Sequence, residues 1–175
     1  MSEIHKFLFD GLPLKGAIVR LDDSWQEVLR RRAANKQTGA YATPVAELLG
    51  EMLAAGCLMQ SAIKFNGALI LQMQSEGAVK LAVAEVQNDM AMRATATVQG
   101  EVAADASLPD LMPQGQCAVT LDPRDRLPGQ QPYQGVVALN HPDGGEPLAN
   151  LAQALRSYMA FSEQLDTYFV FAANE

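Results

Sequence analysis

The chain has 175 residues, 49% hydrophobic and 19% charged, a balance that supports one globular domain with a full core and excludes a disordered chain. Its formal net charge of −7 argues against nucleic acid as a partner, because phosphate backbones select basic faces. The longest apolar stretch, 44–63, is interrupted by Glu47, Glu51 and Gln60, which predicts a buried or amphipathic helix and no membrane span.

The opening predicts strand, turn, strand: 5–9, then Asp10-Gly11, then 15–21. No apolar segment of the secretory kind opens the chain, so a cytosolic location is expected. A first helix is predicted from Ser24. Asp22 and Asp23 suit its positive end, and Ser24 with Glu27 has the spacing of a capping box. Trp25, Val28 and Leu29 supply an apolar stripe, and the helix ends by Asn35. Arg30-Arg31-Arg32 falls at that end, where cations complement the helix dipole, a better reading than phosphate binding. A polar linker follows over 35–41.

Thr43-Pro44 reads as the N-cap and first residue of a second helix. Val45, Leu48, Leu49, Met52, Leu53, Ala55, Gly56 and Met59 leave it little polar face, which places it centrally, packed on more than one side. Gly50 and Gly56 lower its helix propensity, so each is expected where a neighbour comes close. From Phe65 the period becomes alternating. Asn66-Gly67 reads as a hairpin-type turn, and Leu69, Leu71 and Met73 share one face opposite Ile70, Gln72 and Gln74. Strands at 79–86 and 90–98, joined by short turns, complete an antiparallel meander.

A helical turn is expected at 107–112, strands at 117–121 and 133–139, and loops at 122–132 and 141–145. Leu148, Leu151, Leu155, Tyr158 and Met159 then recur at helical spacing. Residues 167–172, aromatic and β-branched, predict a closing strand. Ser162, Glu163 and Gln164 stand between the two, where side chains can bond the last helical carbonyls. About eight strands and three long helices, grouped and not interleaved, give an α+β fold with a mostly antiparallel or mixed sheet and helices packed on it.

No catalytic constellation emerges. Cys57 and Cys117 sit among apolar neighbours, as small hydrophobes do, and the sequence does not decide whether they pair. His5 and His141 are far from both in sequence, so a nucleophile pair or a zinc site would need ligands scattered over the chain. There is no Walker loop, dinucleotide glycine pattern or serine elbow. The reading is of a non-enzyme without a cofactor. Eight methionines offer adaptable apolar surface instead. Met73, Met90 and Met92 on the meander, with Phe65 and Tyr133, are the candidates for binding unfolded clients, although core filling is the commoner role of such residues.

Several segments, in order, resemble the core domain of the heat shock protein 33 family of redox-regulated holdase chaperones. Tyr158 to Thr167, a Tyr/Phe-rich helix ending in Ser162-Glu163-Gln164, is similar to its closing motif. Tyr133-Gln134-Gly135-Val136-Val137 resembles its Tyr-Gln-Gly-Val-Val strand, and Lys64-Phe65-Asn66-Gly67 its Lys-Phe-Asp-Gly segment. Arg93 to Gly100 and the opening His5-Lys6-Phe7-Leu8-Phe9 match too. The resemblance implies a layered β/β/α core over 1–175 that holds unfolding proteins without ATP. It gives Tyr133, Gln134, Gly135, Ser162, Glu163 and Gln164 structural roles. It also implies a homodimer as the activated form, and oxidation of a C-terminal four-cysteine zinc module as the switch. No such cysteine pattern occurs in this sequence, so the chain reads as the N-terminal core alone, either shortened or from an unusual homologue, with zinc expected only in the C-terminal domain. Two other classes stay open: an enzyme or ligand-binding domain with its pocket between the 43–63 helix and the meander, and a structural or dimerisation module.

Overall fold

Everything in the fold is arranged around one helix, α2 (Thr43–Ala62), which buries twelve of its twenty residues. The structure, a computed structural model, describes residues 1–141, 143 and 145–174. Pro142 and Gly144, in the loop expected at 141–145, and Glu175 lie outside the described residues. A two-stranded antiparallel sheet is formed by β1 (Glu3–Leu8) and β2 (Lys15–Arg20). A second sheet of β3 (Gly67–Gln74), β4 (Val79–Gln87), β5 (Met92–Val98), β6 (Gln116–Pro123) and β7 (Tyr133–Ala138) runs in the order β5-β4-β3-β6-β7, antiparallel throughout. With α1 (Asp22–Ala33), the short α3 (Leu108–Leu111) and α4 (Leu151–Ser162), the fold is α+β, as the grouping of elements predicts.

Side-chain size explains how α2 is seated. The inner face of the larger sheet is built in rows across the strands. One row runs Ala94, Ala84, Leu71, Val119, Gly135; the next runs Ala96, Ala82, Met73, Cys117, Val137. Alanines on β4 and β5 leave room for a helix, and it is β4 that α2 contacts most closely. The two helix glycines mark the tightest approaches, as expected. A Cβ at Gly56 would lie 2.9 Å from Val86 Cγ2, and one at Gly50 would lie 2.8 Å from Ala173 Cβ and 3.2 Å from the Trp25 ring. The larger sheet therefore covers one side of α2. β2, Trp25 of α1 and the C-terminal segment cover others.

Four local expectations are corrected. α1 begins at Asp22, and no side chain caps its N-terminus. Ser24 Oγ is engaged by Ser2 Oγ at 2.9 Å, and Glu27 is turned to Arg30 and Arg31, each at 2.7 Å, so the capping box does not form. Thr43 lies inside α2, with Ala42 as a cap that makes no side-chain bond. Asn66-Gly67 joins a helix to a strand and is not a hairpin turn. Asn66 Nδ2 donates to Asp125 (2.9 Å) and its Oδ1 accepts from Asn88 (3.0 Å), which ties two loops together.

The fourth correction concerns the closing strand at 167–172. This segment is extended and alternates as predicted: Thr167, Phe169, Phe171 and Ala173 are half-buried, Tyr168, Val170 and Ala172 exposed. It pairs with no strand among the described residues. Side chains hold it instead. Phe169 and Phe171 stack at 5.4 Å and pack on the core, and Trp25 Nε1–H donates to the Asn174 carbonyl at 2.9 Å.

The seating of α2 yields a test. Alanine is about 1 kcal/mol better than glycine in a helix interior, yet Gly56→Ala is expected to lower stability by about 1–2 kcal/mol, because its methyl would crowd Val86. Adding Val86→Ala should make the Gly56→Ala step neutral or favourable in a double-mutant cycle of urea unfolding. A net gain from Gly56→Ala alone contradicts the close approach.

Candidate functional site

The structure separates the five candidate client-binding residues. Met73 is fully buried in the middle of the sheet, so the folded chain offers none of it to a partner. Met92 is half-buried and packs against the core. Phe65 and Met90 are brought together, 25 residues apart in sequence, in a cleft of about 550 Å³ beside Ile4, Lys6, Gln60 and Ile63. Tyr133 lies elsewhere, at 48% exposure on β7.

Tyr133 belongs to a cluster built by the two sequence motifs. The Tyr158 hydroxyl donates to Glu163 Oε1 at 2.6 Å, and the Tyr133 hydroxyl to the same oxygen at 3.3 Å. Gly135 makes room for this. A Cβ there would lie 2.6 Å from Tyr158 Cε2 and 3.2 Å from Ser162 Oγ. Gln134, on the opposite face of the strand, donates to Thr120 Oγ1 at 2.9 Å. Burial, reinforced by the Glu163 bond, pushes the Tyr158 phenol far above its ordinary range. The chain leaves α4 through Gln164 at φ 55°, with the Leu165 N–H returning to the Met159 carbonyl at 3.0 Å. Glu163 is thus a receptor for side-chain hydroxyls and not a cap on backbone carbonyls.

The β1–β2 hairpin carries an exposed apolar surface that sequence reasoning misses. Along the β1–β2 hairpin, Ile4 and Val19 are paired and pack on the core. Phe7 and Ile18 belong to the opposite face, and both are exposed. Phe7 and Phe9 meet edge to face at 5.7 Å, with the Phe7 ring over Gly16. Leu8, Leu12 and Leu14 are exposed at 81%, 61% and 52%. Its signal in the sequence was the unbroken Phe7-Leu8-Phe9 run: consecutive apolar residues in a strand put hydrocarbon on both faces.

The two cysteines are buried and unpaired. Loss of hydration pushes the Cys57 thiol up to about 11 and the Cys117 thiol up to about 12, so neither forms a thiolate near neutrality. His5 and His141 are exposed, and His5 contacts Glu3 at 3.0 Å. Among the described residues no three His, Cys, Asp or Glu side chains converge on a point where a metal would sit. Among the described residues no helix is long and apolar enough to cross a membrane.

Comparison with known proteins gives a consistent result. The family model of the Hsp33 protein matches residues 2–175. The 33 kDa chaperonin of Chromobacterium violaceum is 43% identical over 174 residues, 99% of this chain and 54% of that protein. That of Pseudomonas aeruginosa is 42% identical, over 99% of this chain and 52% of its own length. The chain thus spans about half the length of these relatives. Among solved structures, the crystal structure of a 33 kDa chaperonin (heat shock protein 33 homolog) from Thermotoga maritima superposes with a TM-score of 0.74 at 19% identity. It covers 94% of this chain and 52% of the other, and at that identity it bears on the fold alone.

Two expectations follow from the buried groups. Tyr158→Phe removes a short charge-assisted bond and is expected to cost about 1–3 kcal/mol in urea unfolding, whereas Tyr133→Phe, at an exposed 3.3 Å contact, is expected to cost less than about 0.5 kcal/mol. Equal costs would mean that Glu163 is not anchored by Tyr158. The raised thiols also set a pH dependence. Their contribution is complete below the ordinary thiol pKa and is lost as pH rises towards 11–12. Stability should be level to about pH 8 and then fall, with a shallower fall in Cys117→Ala; an unchanged slope in that variant contradicts the assignment.

Proposed function

The chain belongs to the Hsp33 family, and from that membership we propose that it is the N-terminal core of an ATP-independent holdase, binding unfolding proteins and keeping them from aggregating. The observation that carries this reading is the exposed outer face of the β1–β2 hairpin, where Phe7, Phe9, Leu12, Leu14 and Ile18 stand in solvent. Apolar surface concentrated in this way marks a site for a partner. Burial at roughly 25 cal/mol per Å² makes a few hundred Å² worth several kcal/mol, enough to compete with client self-association. Capture of this kind needs no chemical step, and the formal charge of −7 helps keep a loaded complex in solution.

Redox control, in this reading, belongs to the C-terminal zinc module of the family. Cys57 and Cys117 are too buried and too weakly acidic to serve as the switch in the folded core. Two unpaired thiols also suit a reducing cytoplasm, the location we propose.

The test is light scattering of a chemically unfolded, aggregation-prone client diluted into the protein without ATP, under reducing and under oxidising conditions. Suppression equal in both conditions is expected, and Phe9→Lys with Ile18→Lys should weaken it several-fold while leaving urea unfolding nearly unchanged. No suppression by the parent chain, or full suppression by that variant, overturns the reading.

A further inference from the structure

We propose that the free edge of the five-stranded sheet, along β7, takes up an extended segment of an unfolding client as an added strand. The inference rests on the holdase reading and deepens it by naming the conformation and chemistry of the segment that binds.

The two edges of this sheet, β5 and β7, are finished differently. The β5 edge is closed. Its ladder with β4 is irregular between Val79 and Leu81, and Arg93 puts a charge in the strand, paired with Glu85. On its open side the Ala96 N–H donates to the Tyr41 hydroxyl at 2.8 Å. The Arg32 guanidinium lies 3.9 Å over the Tyr41 ring and holds that covering residue in place. A charge, an irregular register and a covering segment are the means by which edges are kept from pairing with other chains.

β7 has none of these. Its ladder with β6 runs unbroken from Tyr133 to Ala138, and the strand contains neither a charge nor a proline. The Leu139 N–H donates to the Gly115 carbonyl at 2.8 Å. By the alternation of an antiparallel ladder, Val137, Gly135 and Tyr133 then also turn their backbone groups towards β6, and Gln134, Val136 and Ala138 turn theirs away. Those outward residues are all exposed. Among the described residues, no backbone or side-chain group pairs with their N–H and C=O groups.

A row of donors and acceptors repeating at every second residue, about 7 Å apart, is matched by one kind of ligand, another extended backbone. A folded protein keeps its strands paired, whereas an unfolding one offers them, so such an edge discriminates by conformation. The surroundings set the side chains. On the outer face Gln134, Val136 and Ala138 stand opposite Thr120, Ala118 and Gln116, all uncharged. Small polar and β-branched neighbours fit that surface. The formal charge of −7 on each chain opposes pairing of β7 with a second copy and favours a neutral or basic segment. The occupant is a β-prone client segment without acidic residues.

The experiment is fluorescence anisotropy with a labelled eight-residue Thr/Val peptide ended by Lys, compared with the same peptide N-methylated along one edge or along both. Methylation along one edge leaves the other free to pair and should change affinity by less than about three-fold. Methylation along both should weaken binding about ten-fold or more, since several hydrogen bonds are lost. Val136→Pro removes an outward N–H and spares the β6 ladder, and Val136→Lys places a charge on the edge. Each should weaken the unmodified peptide about five-fold or more with Tm nearly unchanged, whereas Phe9→Lys with Ile18→Lys should leave it bound. Equal binding of all three peptides, or unchanged binding in Val136→Lys, overturns the added strand. A dimer of the parent chain that Val136→Lys dissolves, with no peptide bound, assigns the edge to a second copy and overturns it too. Client scattering on the same samples separates the two levels. Suppression retained with no effect of methylation removes the edge alone, and no suppression by the parent removes the holdase reading and the client role of the edge together.

Discussion

One requirement governs this molecule: α2 is apolar nearly all round and must be covered on more than one side. A helix of that kind has no solvent face to leave open. The five-stranded sheet supplies one cover, and its alanine rows and Gly56 let helix and strands approach closely. The remaining sides are covered by Trp25, the β1–β2 hairpin and the extended C-terminal segment around Ala173. Glu47 and Glu51 stay half-buried along its flank, and Glu51 is held above its ordinary carboxyl range by burial and by Glu47.

The second set of covers is thin, and that thinness connects structure to function. A two-stranded sheet is marginal without packing, and side chains alternate across it, so covering α2 with Ile4 and Val19 consumes only one face. The other face of the same hairpin carries Glu3, His5 and Arg20 at one end and the exposed Phe7, Phe9 and Ile18 beyond them. In an ordinary domain those positions would be polar. Hydrocarbon on both faces of a single layer gives a surface that is anchored from below and adhesive from above. The cleft at the end of α2 lies at the margin of this arrangement, where β1, the helix terminus and the β4–β5 turn meet.

Much of this was readable in the residues. The uniform apolarity of 43–62 announced a central helix, and the alternation from Leu69 gave both the meander and its buried face. The separate Tyr-Gln-Gly and Ser-Glu-Gln motifs prove to be two halves of one contact, through Glu163 and Gly135. Other features were not readable, for physical reasons. The alternation of 167–172 reports which side chains turn inward but not whether a ladder partner stands alongside. Ser24 and Glu27 had capping spacing, but Ser2 and two arginines compete for them. Methionine content did not distinguish Met73, buried on the sheet face that α2 covers, from Met90, which falls in the turn between β4 and β5 and so belongs to neither face. The exposed hairpin was missed because Phe7-Leu8-Phe9 reads as core until the number of layers is known.

The most direct measurement is amide hydrogen exchange of the chain with and without an unfolded client bound. Slowed exchange centred on the β1–β2 hairpin is the result expected if the thin cover of α2 is the binding surface. Protection on the outer face of the five-stranded sheet instead, or no protection anywhere with a client demonstrably bound, would contradict it.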